Sequence, residues 1–325
     1  MMLAHVAPTT QRRLSRLWTP GTQQIATKAL AQQEREARGS SKAAFELGWD
    51  FARYGLDCSD FFRENSDFVA GMRAGRIHWP RRRSEDRYIR KWLQLRASAL
   101  ARQLPYADTV TPAYLQAIDV ETCPVTRQPM TRGACAPTDA SVDRINNAIG
   151  YERGNLVVMS VLANSAKANM GSVEMLQVVR ELGKRADGAQ WQGLGIQEWA
   201  RLATLAAYAE PFADAGAVDS WPLVAAPAPL MHIRSAAWRR KIDLTARALG
   251  RRCAGIPEAA RPAFLAFSSD MEVAHERADQ ALATVGDGSR VAGEEAWLCP
   301  AVNQSWTRLV ALLGDAALDL DGGSL

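Results

Sequence analysis

No apolar run in this sequence approaches the roughly 20 residues that a bilayer-spanning helix needs, so no membrane partner is expected. Cysteine is scarce and scattered, at positions Cys58, Cys123, Cys135, Cys253 and Cys299. An odd, dispersed set fits a reducing compartment better than a disulfide framework. There is no C-x-x-C pair, and a structural zinc site usually needs two such pairs. Cys123 and Cys135 bracket one loop but make half a site, so no structural zinc is expected. Histidine is rarer still, with four in the chain. The stretch from Met1 to Pro20 carries arginines but no continuous apolar core ending in a small-residue cleavage site. No secretory signal is read there, and a cytoplasmic location is expected. No internal repeat is found.

What is present is ordinary globular material. The chain is 325 residues long, 47% hydrophobic and 23% charged, which excludes a mostly disordered polymer and leaves room for about two or three cored domains. The net charge of +4 is small, but it is unevenly spread. Met72 to Gln103 holds ten Lys or Arg against two acids, and Leu223 to Arg261 eight against two. Pro262 to Leu325 reverses this, with three basic residues against ten acids. Two basic blocks and an acidic tail point to a polyanion partner for part of the surface, although solvated helix faces account for the charges alone.

The pattern is helical nearly throughout. Thr22 to Arg38 favours helix, with Gly39 placed to end it, and Ser41 to Tyr54 forms another helix with Gly55 as its stop. Phe61, Phe62, Phe68 and Val69 suggest a further short helix, making 41–75 a small aromatic-rich hairpin. Within it, Gly48-Trp49-Asp50 followed by Gly71 and Gly75 resembles small ribosome-associated factors, and ordinary core packing explains the same residues. Ser84 reads as an N-cap with Glu85 and Asp86 in the first turn. The helix that follows places Ile89, Trp92, Leu93, Leu100 and Leu104 on one side. Arg87, Arg90, Lys91, Gln94 and Arg102 lie on the other. Arg81, Arg82 and Arg83 extend the basic face, while Trp79 reads as half-buried packing. Thr111-Pro112 opens a short helix to Ile118. From Ser172, read as an N-cap, Val173, Leu176, Val179 and Leu182 share a face. The Pro/Ala-rich stretch 213–228 reads as a linker, and Ser235 opens a helix with Arg239, Arg240 and Arg247 outward.

Between Glu121 and Ser160 the texture changes to Gly, Pro, Thr, Asn and β-branched runs. Ser141-Val-Asp-Arg-Ile145 predicts a short strand anchored by Val142 and Ile145. Gly150 and Gly154 punctuate a loop, and Asn155-Leu-Val-Val-Met-Ser160 predicts a second strand. Val161 to Met170 then forms a helix presenting Asn164 and Lys167 one turn apart. Strand, loop, strand and helix in about 30 residues make a β-hairpin packed on a helix.

The ordered series Asp-Arg-Ile, Gly-Tyr, Gly-Asn and Asn-x-x-Lys resembles the HNH, or ββα-metal, endonucleases, especially phage-type members. The resemblance covers about residues 120–170. It implies a mainly α protein with helical flanking domains around a small ββα nuclease module. The expected segments are a basic arm (1–40), the hairpin (41–75), a basic helical segment (76–118), the module (119–171) and a C-terminal helical domain (172–325). The implied activity is metal-dependent hydrolysis of DNA, with RNA not excluded. Asp143 and Asn164 would hold Mg²⁺ or Mn²⁺, since Mg²⁺ takes oxygen ligands and keeps several waters. Asn155 would tie the hairpin loop together, and Lys167 would hold a non-bridging phosphate oxygen. The family's general base is a histidine directly after the metal-binding Asp, and here that position is Arg144. Arginine stays protonated and cannot take a proton from water, but it can clamp phosphate. Water activation then falls to the metal, Tyr151, Glu152 or a histidine from elsewhere. Arg81, Arg82, Arg83, Arg87, Arg90, Lys91, Arg102 and Arg153 are the candidate DNA-backbone contacts. Two other readings stand beside the nuclease: a catalytically degenerate nucleic-acid-binding protein, and a scaffold whose C-terminal helices bind a protein partner.

Overall fold

The structure is a computed structural model that describes residues 39–57, 60–80, 83–185, 187–210, 257–285, 296–297 and 299–313. The Thr22–Arg38 helix, Arg81, Arg82, the 213–228 linker and the Ser235 helix lie outside the described residues. The fold is mainly helical, with one two-stranded sheet among the described residues. No described helix is long and apolar enough to cross a membrane. The chain divides into two compact units, Met1–Gln103 and Leu104–Leu325.

The first unit contains α1 (39–54), α2 (Asp60–Arg63), α3 (Ser66–His78) and α4 (Arg87–Ala101). Ala44, Leu47, Phe51 and Ala52 recur at helical spacing and are buried against Phe62, Phe68, Met72 and Leu93. Glycine lets α1 and α3 meet backbone to backbone. A Cβ on Gly48 would lie 2.1 Å from the Phe68 carbonyl oxygen, and one on Gly71 2.0 Å from that of Phe45. These are the glycines that the sequence singled out, and close helix crossing is their structural use. Gly55 ends α1 as read, with φ +66° and the Leu56 N–H donating to the Phe51 carbonyl at 3.0 Å. Gly39 is helical within α1, and the helix it was read as ending lies outside the described residues. The cap of α4 also differs: Asp86, not Ser84, is the N-cap, its Oδ1 accepting from Tyr88 N and Ile89 N, both at 2.8 Å. Asp86 wins because its carboxylate reaches two orphan amides at once.

The second unit opens with α5 (Pro112–Ile118), capped by Thr111 with Pro112 in its first turn, as the sequence predicts. Strand β1 (Ala140–Arg144) pairs antiparallel with β2 (Leu156–Ser160), and α6 (Val161–Lys167) follows directly from β2. Every residue of β2 is buried, which is why it reads as a continuous apolar run rather than an alternating one. Helices α7 (Ser172–Gly183) and α8 (Ile196–Ala209) pack as a pair. A 3-10 turn (Glu258–Ala260) precedes α9 (Arg261–Val285), which packs on α10 (Pro300–Leu313).

α8 is buried along its length from Trp199 to Ala209, so it is an interior helix. It braces the loop before β1: Arg201 is buried and donates to the Val125 carbonyl at 2.7 Å and to Gln197 Oε1 at 3.1 Å. The same loop is pinned by Cys123, whose buried sulfur accepts from Ser160 N at 3.3 Å and Thr126 N at 3.5 Å. Cys135, by contrast, is exposed. Two further positions differ from the sequence reading. Gly171 caps α7, its N–H donating to Glu174 Oε2 at 2.8 Å, while Ser172 is the first helical residue. Val173 is 59% exposed, and Met175 joins Leu176, Val179 and Leu182 in the core.

Candidate active site on the hairpin and its helix

The strand alternation decides which side chains of β1 can do chemistry. Asp143 and Ile145 are buried, whereas Val142 and Arg144 are half-buried and belong to the opposite face. Of the two predicted anchors, Ile145 is buried and Val142 only half-buried: residues three apart in a strand point to opposite sides, and Ile145 shares its face with Asp143. α6 lies across that face in register. Asn164 Nδ2 donates to Ser141 Oγ at 2.8 Å, and one turn later Lys167 Nζ stands 3.0 Å from Asp143 Oδ2. Lys167 Nζ also donates to the Arg144 carbonyl at 3.1 Å. Lys167 is fully buried and Asp143 is 7% exposed. Burial pushes the Asp143 carboxyl above its usual range, while the Lys167 ammonium and, after it, Arg144 pull the other way.

The loop between the strands is held as the sequence suggested. Asn155 is fully buried; its Oδ1 accepts from Asn146 N at 2.9 Å. Its Nδ2 donates to the Asn146 carbonyl at 3.0 Å and the Gly150 carbonyl at 2.9 Å. Gly150 is needed because a Cβ there would lie 2.2 Å from the Pro105 carbonyl oxygen. That close approach lets Tyr151 pair with Tyr106 in a short parallel bridge, Tyr151 N donating to the Pro105 carbonyl at 2.9 Å and Ala107 N to that of Tyr151 at 2.8 Å. Gly154 takes φ +83°, a conformation that disfavours any side chain, and donates to Tyr114 Oη on α5 at 3.2 Å.

Arg144 is turned into this loop. Its guanidinium donates to the Ile149 carbonyl at 3.0 Å and the Asn147 carbonyl at 3.4 Å, and lies 5.4 Å from the centre of the Tyr151 ring. Tyr151 itself is buried, Glu152 half-buried and Arg153 exposed. No protein-family model, curated protein or solved structure matches this chain.

Of the sequence-nominated residues, β1 and α6 therefore bring Asp143, Asn164 and Lys167 together. Asn155 sits behind them as the loop's internal tie. The sequence reading missed Ser141, the partner of Asn164, whose signal was its position two residues before Asp143 on the same strand face.

Asp143 and Asn164 are the oxygen donors on which a metal here would depend. Asp143 Oδ2 is buried and makes no hydrogen bond of good geometry, with only the Lys167 ammonium beside it. Asn164 gives its amide nitrogen to Ser141, so its amide oxygen is the end that a metal would take. No group of three His, Cys, Asp or Glu able to hold a metal occurs among the described residues. A metal here would thus rest on one carboxylate, one amide oxygen and waters, a set that Mg²⁺ or Mn²⁺ accepts and zinc does not favour.

The candidate backbone contacts fall in both units. Arg83, Arg87, Arg90 and Arg102 are exposed in the first unit, and Arg153 is exposed in the second. Arg90 is paired with Glu85, and Lys91 is half-buried, its ammonium lowered by that burial. Arg83 lies 4.7 Å from the centre of the Trp79 ring, which Arg53 approaches at 5.0 Å. The ring is half-buried.

Proposed function

We propose that this chain is a metal-dependent DNA endonuclease of the HNH-like type. What supports the reading is the convergence of Asp143, Asn164 and Lys167 on one face of the hairpin, in the order and spacing of the family's series. Asp143 and Asn164 would hold Mg²⁺ or Mn²⁺, which when bound neutralises the phosphate and stabilises the departing 3′ oxygen. Asn155 keeps the loop rigid so that Asp143 is presented in one position. Exposed Arg153 and the exposed arginines of the first unit supply phosphate contacts that position the duplex without reading its sequence. Incubating the protein with plasmid DNA and Mg²⁺ or Mn²⁺, with EDTA as control, tests this. Metal-dependent nicking that disappears in Asp143→Asn supports it, and cleavage unaffected by that change places the chemistry elsewhere.

A second reading, a nucleic-acid-binding protein without catalysis, is favoured by one observation. Arg144 stands where the family keeps its general base, and its guanidinium is committed to loop carbonyls. Arg144→His separates the two readings of that position. If Arg144 fills the place of a lost base, histidine raises cleavage near neutral pH. If Arg144 organises the loop, histidine lowers both binding and cleavage, and this is the expected result.

A further inference from the structure

We propose that in the free protein Lys167 holds the metal's place at Asp143, so that a divalent ion enters only as the Lys167 ammonium leaves. The inference rests on the metal-dependent reading above and adds to it a built-in competitor. Nζ lies 3.0 Å from Asp143 Oδ2, and that oxygen is itself buried. The ammonium fills the space beside that oxygen, and its like charge opposes a divalent ion there. The ammonium is also a satisfactory tenant, because the Arg144 carbonyl accepts from it at 3.1 Å and Asp143 neutralises it.

Lys167 is the last residue of α6, and Ala168 beyond it has φ +48° and ψ −119°. That conformation is strained for any residue with a side chain, and such strain clusters at ligand clamps and switch regions. Ala168 is held there by its N–H on the Asn164 carbonyl at 3.1 Å and by Asn147 Nδ2 on its own carbonyl at 3.1 Å. Exchange of the two cations would leave Asp143 to hold the metal and would free Lys167 to meet a phosphate oxygen, which it cannot do while buried.

The test uses the full chain and Mn²⁺, read by electron paramagnetic resonance, with pulsed reductive methylation of lysines read by peptide mass spectrometry. In the metal-free wild type, Lys167 should be protected while exposed Lys42 and Lys184 react. At saturating Mn²⁺, Lys167 should become reactive and the two reference lysines should not change. Lys167→Met should bind Mn²⁺ about 5- to 150-fold more tightly than wild type, the usual span of a coupling between two sites. Should that variant fold poorly, the wild-type methylation result stands alone as the test. Mn²⁺ bound to the wild type with Lys167 still protected overturns the inference and leaves the nuclease reading intact. Failure of both proteins to bind Mn²⁺ overturns the two together.

Discussion

Breaking the Asp143–Lys167 pair should damage the fold as well as the chemistry. Asp143→Ala leaves a fully buried ammonium with the Arg144 carbonyl as its acceptor, and Lys167→Met leaves a carboxylate that is 7% exposed with only the weaker influence of Arg144 to offset it. Removing one partner of a buried pair costs about 3–5 kcal/mol, because the survivor is an uncompensated charge in a poor solvent. Against a total stability of about 5–15 kcal/mol, either single change consumes a large share. The double variant Asp143→Ala/Lys167→Met removes both charges and should cost clearly less than the sum of the singles, with a coupling of about 2–3 kcal/mol. Native-state hydrogen exchange at the amides of β1 and β2 is the suitable assay, since it reads this module apart from the rest of the chain. The reasoning fails if each single variant costs under about 1 kcal/mol, or if the double variant costs the full sum. A cleavage assay on Asp143→Ala is interpretable only beside that measurement, because loss of activity could follow from loss of the hairpin.

Ala168→Gly should stabilise the module by about 1 kcal/mol in the same exchange experiment, since φ +48° is strained for alanine and open to glycine; no gain would mean that the α6 end stores no strain. Asn155→Ala should cost about 3 kcal/mol, because it strands Asn146 N and the Asn146 and Gly150 carbonyls in a part-buried loop. A thermal melt that matches wild type would refute the role of Asn155 as the loop's tie. Neutralising Arg83, Arg87, Arg102 and Arg153 should weaken DNA binding to all sequences alike and lower the salt slope by about 0.9 for each phosphate no longer neutralised. Neutralising Arg90 and Lys91 should change that slope less, as one is paired with Glu85 and the other is half-buried. Equal slopes in all variants would reduce these arginines to a solvated face.

What the sequence made legible was local. Gly55 as a helix stop and Thr111-Pro112 as a helix start each depend on a few neighbouring residues, and each stands in the structure as read; the Asn155 tie came from the nuclease resemblance, and its side-chain hydrogen bonds are present. The cap of α4 was less legible because Ser84, Glu85 and Asp86 all carry oxygen acceptors, and only the fold selects the one that reaches Tyr88 N and Ile89 N. The inward face of β1 was not legible at all. Val142 and Ile145 are both apolar yet lie on opposite faces, and it is α6 packing across Ser141 and Asp143 that decides between them. The same packing places Lys167, expected as a phosphate ligand, as a buried partner of Asp143, because α6 leaves β2 directly and lays Asn164 and Lys167, one turn apart, onto the neighbouring β1. The residues that mark the nuclease series therefore also serve as the hairpin's polar mortar. A chain could keep Asp143, Asn155, Asn164 and Lys167 for folding alone, so the series by itself argues for the module more strongly than for cleavage. The two roles come apart at one place, Asp143 Oδ2, where a structural duty is complete with Lys167 and a catalytic one requires Lys167 to yield.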